Sequence, residues 1–366
     1  TDVTYQEALT IAAESKTNID FDNDTYNLHF TYYDDNDVEH EVHFTDAATN
    51  FNAMRFAAAH TLSGVALWRL GSEDSRLWKF YNSNMRKEAL THFNINNFTY
   101  VEPSNDVDYI GEGEVLDVKT EPHSGKIIPE IDTADMLISE ETYESLPSMF
   151  VVQKYGKADK KIVLTFDDGP DPDYTPRILD ILSKEHVPAV FFLIGINAEE
   201  NIPLVKRIYR EGHEIGNHSF THANMAEMSS QRANLELKST RLLIESITGH
   251  STILFRAPYN ADAEPETMQE LIPVAQSRKQ NYLTIGESID PNDWEEGVTA
   301  DTIFNRIIKQ QEKGSIILLH DAGGDRNATV EMLPKLIHYF KQKGYSFTTV
   351  ANLIGKSKEE LMPLVP

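Results

Sequence analysis

From about residue 153 the apolar positions fall into a two-part rhythm. Short β-branched and aromatic runs at 162–166, 189–194, 213–216, 253–255, 282–285, 315–319 and 346–350 read as buried strands. Between them, apolar residues at helical spacing predict helices near 175–186, 198–211, 229–247, 264–279, 299–313 and 328–343. Sustained strand-then-helix alternation implies an α/β fold with a parallel sheet. The polar clusters all fall just after strands. That favours closure into a (β/α) barrel, whose active sites gather on the face reached by the strand ends.

Upstream the pattern changes twice. Residues 1–82 read as α/β, with a helix over Tyr5–Glu14, strands at 26–33 and Glu39–Phe44 across the acidic turn Asp34-Asp35-Asn36-Asp37, a helix near 47–60 and a short strand at 65–68. Residues 83–152 are rich in Asn and acids and are punctuated by Pro103, Pro122, Pro129 and Pro147. Brief strands at 115–118 and 126–128 make this a small β-rich connector without evident chemistry. The expected layout is an N-terminal segment 1–82, a connector 83–152, a main domain 153–357 and a tail 358–366.

Charge sharpens that division. Residues 1–150 hold 28 acids against 9 Lys and Arg, whereas 151–366 hold 30 against 24, within an overall net charge of -25. So acidic a surface disfavours nucleic acid and anionic membranes as partners. A hydrophobic content of 40%, with no apolar run near membrane-spanning length, points to a soluble globular chain. The absence of Cys excludes disulfides, thiolate metal sites and a Cys nucleophile, so any metal must rest on His and carboxylates. The chain opens on Thr1 and reads as a piece of a longer protein. The missing targeting segment therefore carries no weight.

The strand at 162–166 ends on Asp167-Asp168-Gly169-Pro170. Adjacent strand residues point opposite ways, so the two acids need different partners: one to bind a metal, the other to stay free as a base. After the strand at 213–216 come His218 and His222, four apart and able to meet one ion if the segment turns like a helix. Two His and a carboxylate suit Zn2+ or another divalent first-row metal and leave positions open for water. Arg256-Ala257-Pro258-Tyr259 follows the strand at 253–255, a cation to pair with a carboxylate beside a rigid turn that aims a backbone N–H. Asp290-Pro291-Asn292-Asp293-Trp294 sets a carboxylate next to a large apolar plate. The strand at 315–319 delivers Leu318-Leu319-His320 into a Gly-rich loop, as a catalytic His would be delivered.

Taken in order over about 155–350, these five segments resemble the motifs of the polysaccharide deacetylases, the NodB-homology domain of carbohydrate esterase family four. The resemblance implies a distorted (β/α) barrel. It implies that Asp168, His218 and His222 hold a metal, usually zinc, and that Asp167 is the general base oriented by Arg256. The backbone N–H of Tyr259 would hold the oxyanion, and His320, paired with Asp293, would protonate the leaving amine. Tyr259, Trp294 and Leu318 would line the substrate pocket, the last two around the acetyl methyl. The implied substrate is an N-acetylated polysaccharide or oligosaccharide of the chitin, peptidoglycan or poly-N-acetylglucosamine type, in an extracytoplasmic or envelope-associated setting. An O-acetyl xylan esterase and a catalytically silent carbohydrate-binding module remain alternatives, and the oligomeric state is open.

A second, shorter resemblance lies upstream. The run from Gly64 to Trp78 is similar to the last strand and following helix of glycoside hydrolase family eighteen (chitinase-like) barrels, where a Trp closing that strand lines the sugar site. Residues 1–82 are thus expected to be a partial α/β barrel fragment, packed on the connector or on a second copy. The chain's one match to the family's Asp-x-Asp-x-Glu signature, Asp35-Asn36-Asp37-Val38-Glu39, falls in the acidic turn, so no glycosidase activity is expected from it.

Overall fold

The computed structural model describes residues 2–365 apart from 35, 105–106, 260–261 and 266. Asp35 of the acidic turn and Glu266 of the 264–279 helix lie outside the described residues. The chain divides into two compact units, one of Thr1–Asp108 with Thr120–Phe150, the other of Tyr109–Lys119 with Val151–Pro366. The stretch 83–152 is thereby shared between them. Its strand Gly113–Thr120 pairs antiparallel along the sheet of the second unit, through Thr284 opposite Leu116.

That sheet is built on six parallel strands: β1 (Lys161–Asp167), β2 (Ala189–Leu193), β3 (Glu214–Asn217), β4 (Leu254–Phe255), β5 (Leu283–Ile285) and β6 (Ile316–His320). The lateral order is β6-β1-β2-β3-β4-β5. A parallel bridge between Ile289, just past β5, and Ile317 of β6 brings the two ends together. The strands are buried on both faces, which is why they read as continuous apolar runs. Leu164, Phe166, Phe191 and Leu319 pack outward on the helices, while Val163, Val190, Phe192 and Ile316 form a second, inner cluster. By strand alternation Thr165 and Asp167 share the inner face with Val163. The 346–350 run contributes only Ser346–Phe347 to the sheet, paired at the start of β1, and Val350–Leu353 turns into a short helix.

The connecting helices are α1 (Thr175–Glu185), α2 (Gly195–Glu200), α3 (Ile202–Arg210), α4 (Ser230–Thr248), α5 (Met268–Arg278), α6 (Ala300–Gln310) and α7 (Asn327–Gln342). The helix expected over 198–211 is two. It breaks at Asn201 (φ −127°, ψ 42°), directly before a turn containing Pro203. Proline has no N–H to donate backward, so it opens a helix more readily than it continues one.

The first unit departs from expectation. Its helices Tyr5–Glu14 and Ala47–Ala59 form as predicted, the former with a Thr4/Glu7 capping box and the latter capped by Asp46. Its sheets, however, are antiparallel: 20–21, 28–33 and 39–44 in one, 100–101, 125–132 and 137–145 in the other. The predicted strand at 65–68 is irregular, Trp68 is 93% exposed, and a 3-10 turn at Ser75–Lys79 replaces the following helix. The expectation of a partial barrel fragment is corrected accordingly. A strand needs a neighbouring ladder to satisfy its backbone, and none of the described strands pairs with 65–68. The unit is centred instead on buried Arg76, which bonds Asp74, Asp46 and the Tyr5 hydroxyl.

Candidate active site

Strand register decides which residues meet. β1 lies between β2 and β6 with Asp167 opposite both Phe192 and His320, so two strand tips present a carboxylate and an imidazole side by side. Asn217 at the tip of β3 is opposite Phe255 of β4, which brings the loops after those strands to the same rim. Eight of the ten residues singled out in the sequence line one cavity of about 740 Å3: Asp167, Asp168, His218, His222, Tyr259, Trp294, Leu318 and His320. The other two, Arg256 and Asp293, stand behind it as buried partners.

Arg256 is fully buried and spends its donors on fixed acceptors. Its Nε bonds the Ile285 carbonyl at 2.9 Å and its Nη2 the Gly286 carbonyl at 3.2 Å. Its Nη1 reaches Thr165 Oγ1 at 2.6 Å and Asp167 Oδ1 at 3.0 Å. The guanidinium also lies 4.5 Å from the Phe192 ring centroid. A buried, oriented cation pins one oxygen of Asp167 by a charge-assisted hydrogen bond and leaves the other turned to the cavity.

Asp167 Oδ2 lies 3.8 Å from His218 Nε2, and Asp168, one residue past β1 at φ 77°, turns into the same cavity. Asp168 Oδ1 lies 3.4 Å from His218 Nε2 and 3.1 Å from His222 Nε2, yet it is buried and accepts no hydrogen bond. Burial pushes its carboxyl up, but the two histidines outweigh that and hold it well below the usual carboxylate range. The three ligand atoms lie within 4.8 Å of one another. His218 Nδ1 is engaged by the Arg256 carbonyl at 2.9 Å and His222 Nδ1 by the Tyr259 hydroxyl at 3.1 Å, so both Nε2 atoms turn inward. An orphaned carboxylate oxygen facing two inward imidazole nitrogens fits a divalent metal, with outer partners of the kind that orient such ligands.

His320 is paired twice with Asp293: Nδ1 to Oδ1 at 2.7 Å, and its backbone N–H to Oδ2 at 3.0 Å. Burial alone would lower its pKa. The Asp293 hydrogen bond and charge, with Asp167 and Asp168 beyond, prevail and raise it to about 9. The ring is therefore protonated at neutral pH, with Nε2 left for the cavity. The Tyr259 N–H has no hydrogen-bond partner among the described residues. Asp168, Ser219, His222, Tyr259 and Asn292 all hold positive φ. Each costs about 1 kcal/mol or more in a non-glycine residue, and such strain tends to gather where side chains must be aimed.

Several supporting residues carried no visible sequence signal. Glu236, buried on α4, accepts hydrogen bonds from the Phe220 and Thr221 amides at 2.9 and 2.8 Å and from the Thr221 hydroxyl at 3.0 Å, gripping the turn between the two histidines. Thr329, in the first turn of α7, donates to Asp293 Oδ2 at 2.6 Å. Asn217 accepts from the Ser219 N–H at 2.9 Å and donates to the Tyr282 hydroxyl at 2.7 Å. Glu287 also lines the cavity, as does Asp290, the first residue of the 290–294 segment already singled out. Burial, helped by the Asp290 charge, pushes Glu287 up to about 8. By contrast His213 is structural: its Nδ1 accepts from the Ala189 N–H at 3.1 Å, and burial lowers its pKa to about 4.

A clamped carboxylate and a protonated imidazole at neighbouring strand tips, in one cavity with a three-ligand metal cradle, make a rim suited to metal-assisted hydrolysis. Known proteins agree. Residues 154–272 match the family model described as polysaccharide deacetylase. The chain is 38% identical to a peptidoglycan-N-acetylglucosamine deacetylase of Bacillus cereus, over 56% of this chain and 71% of that one. It is 31% identical to a chitooligosaccharide deacetylase of Sinorhizobium fredii, over 55% and 95%. Among solved structures it resembles a peptidoglycan N-acetylglucosamine deacetylase crystallised with 4-naphthalen-1-yl-N-oxidanyl-benzamide, with a TM-score of 0.51, 36% identity and coverage of 56% of this chain and 92% of that one. The chain belongs to the polysaccharide deacetylase family.

Proposed function

We propose that this protein removes N-acetyl groups from an N-acetylglucosamine-containing polysaccharide, releasing acetate and a free amine. The carrying observation is the register that sets Asp167 beside His320 at the lip of the Asp168–His218–His222 cradle. A metal held there, which we propose to be zinc, supplies Lewis acidity to the carbonyl and to water. Asp167, fixed by Arg256, takes the proton from the attacking water as its oxygen bonds the acetyl carbon. The Tyr259 N–H faces the carbonyl oxygen as charge builds on it. His320, protonated at neutral pH, gives its proton to the nitrogen as the C–N bond breaks. Asp293 keeps that proton in supply. An amine leaves only when protonated, so a histidine held in its acid form favours an amide substrate over an ester. Trp294 and Leu318 wall the space for the methyl. Because such polymers belong to cell surfaces, we place the activity outside the cytoplasm.

The test is acetate release from chito-oligosaccharides and peptidoglycan fragments by metal-stripped protein, before and after adding zinc, with Asp167→Asn alongside. The expected result is zinc-restored release that Asp167→Asn lowers by about 10²–10⁴-fold. Release that is indifferent to zinc, or that survives the substitution, would overturn the reading.

A further inference from the structure

The two histidines of the cradle are not held alike. The His218 side chain is 3% exposed, and its Nδ1 faces the Arg256 carbonyl. A carbonyl only accepts, so Nδ1 carries the proton and the neutral ring presents its Nε2 lone pair to the cradle. The His222 side chain is 27% exposed and sits on a backbone of φ 55°. Its Nδ1 faces a phenol, Tyr259 Oη at 3.1 Å, with the rings 4.8 Å apart and inclined at 61°. A phenol can donate or accept. Only when it accepts is Nδ1 protonated and the Nε2 lone pair free for a metal.

We propose that the Tyr259 hydroxyl is the positioning group for His222, and that this pair is the edge through which the metal enters and leaves. The proposal rests on the reading of Asp168, His218 and His222 as a metal site. Tyr259 is 71% exposed and its backbone holds φ 66°, so its ring is the cover on the exposed side of His222. The other ligands have no such freedom: Asp168 and His218 lie behind that edge, against β1 and the buried Arg256. Removing the phenol oxygen leaves His222 free to rotate and to take the wrong tautomer, which weakens metal binding without touching a ligand. Outer partners of metal-bound histidines are commonly worth 10–100-fold in affinity.

The experiment titrates metal-stripped full chain with Zn2+ or Co2+ and then challenges the loaded protein with a chelator, for wild type, Tyr259→Phe and Trp294→Phe. Tyr259→Phe keeps the ring on an exposed site, and equal metal-free melting temperatures verify that the fold is intact. The expected result is a metal Kd at least about tenfold weaker for Tyr259→Phe, with correspondingly faster stripping. Trp294→Phe, which alters another exposed aromatic of the same cavity, should match wild type in both. A wild-type Kd for Tyr259→Phe, or an equal loss in Trp294→Phe, would overturn the positioning role. A weaker Kd with unchanged stripping would overturn the exit edge. Failure of wild type itself to bind metal would instead bring down the proposed function.

Discussion

Asp293 shows what one carboxylate can decide at this rim. It holds His320 by ring and backbone and is itself held by Thr329, and its hydrogen bond leads the influences that lift the imidazole to about 9. Asp293→Asn removes that charge, so the His320 pKa should fall toward the ordinary histidine value near 6.5. A general acid works only below its pKa. The alkaline limb of the kcat/KM profile should therefore move to lower pH in the variant, and an unmoved limb would assign the acid to another group. At this scale the sequence was highly legible. Asp167, Asp168, His218, His222, Arg256 and His320 sit at or soon after strand tips, where a polar residue after an apolar run stands out, and Asp293 lies in the loop that follows Leu283–Ile285. Glu236 and Thr329 did not stand out, because an acid or a threonine in a helix is ordinarily solvated and only burial makes either one functional.

At the scale of elements, α4 does more than cover the sheet. Glu236 reaches from it to cap the backbone of the 218–222 turn, and Arg232 one turn earlier pairs with the same carboxylate at 2.6 Å. Glu236→Ala would leave the part-buried Phe220 and Thr221 amides without their acceptor, at about 1–1.5 kcal/mol each. Denaturant unfolding should show a loss of about 3 kcal/mol in the second unit, together with weaker zinc binding as the His turn loosens. Unchanged zinc affinity would limit Glu236 to stability alone. Element identity followed from periodicity almost throughout this unit. The exceptions have local causes: Pro203 divides one helix, and only two residues of the 346–350 run find a partner on β1.

Across the whole molecule the two units answer to different chemistry. The first is organised around buried Arg76, Asp46 and Asp74, with Glu141 beside them and both Glu141 carboxyl oxygens lacking a hydrogen-bond partner. Burial, then the charge of Asp46, pushes Glu141 well above its ordinary value, with Arg76 opposing and Asp74 adding to it; Tyr5 and Tyr143 complete the surroundings. In the unfolded chain this group loses its proton near 4.5, while in the folded unit it keeps it. The unfolded state then binds fewer protons, so the first unit should lose stability as pH rises above about 4.5. Glu141→Gln should flatten that decline. Thermal unfolding of the full chain at several pH values checks it, and an equally steep decline in the variant would exclude Glu141 as the cause.

By itself the sequence determined the strand–helix rhythm of the second unit, the order of its chemical segments and the exclusion of thiolate chemistry, because these depend on spacing and composition along the chain. Only the tertiary structure decided that Asp167 stands beside His320, that Arg256 is buried behind it, and that the two histidines are held by unlike partners. Register and burial belong to pairs of distant segments, and no local pattern encodes them. The 65–68 run makes the same point in reverse. Its residues have the apolar character of a strand, but a strand exists only where another backbone completes its hydrogen bonds.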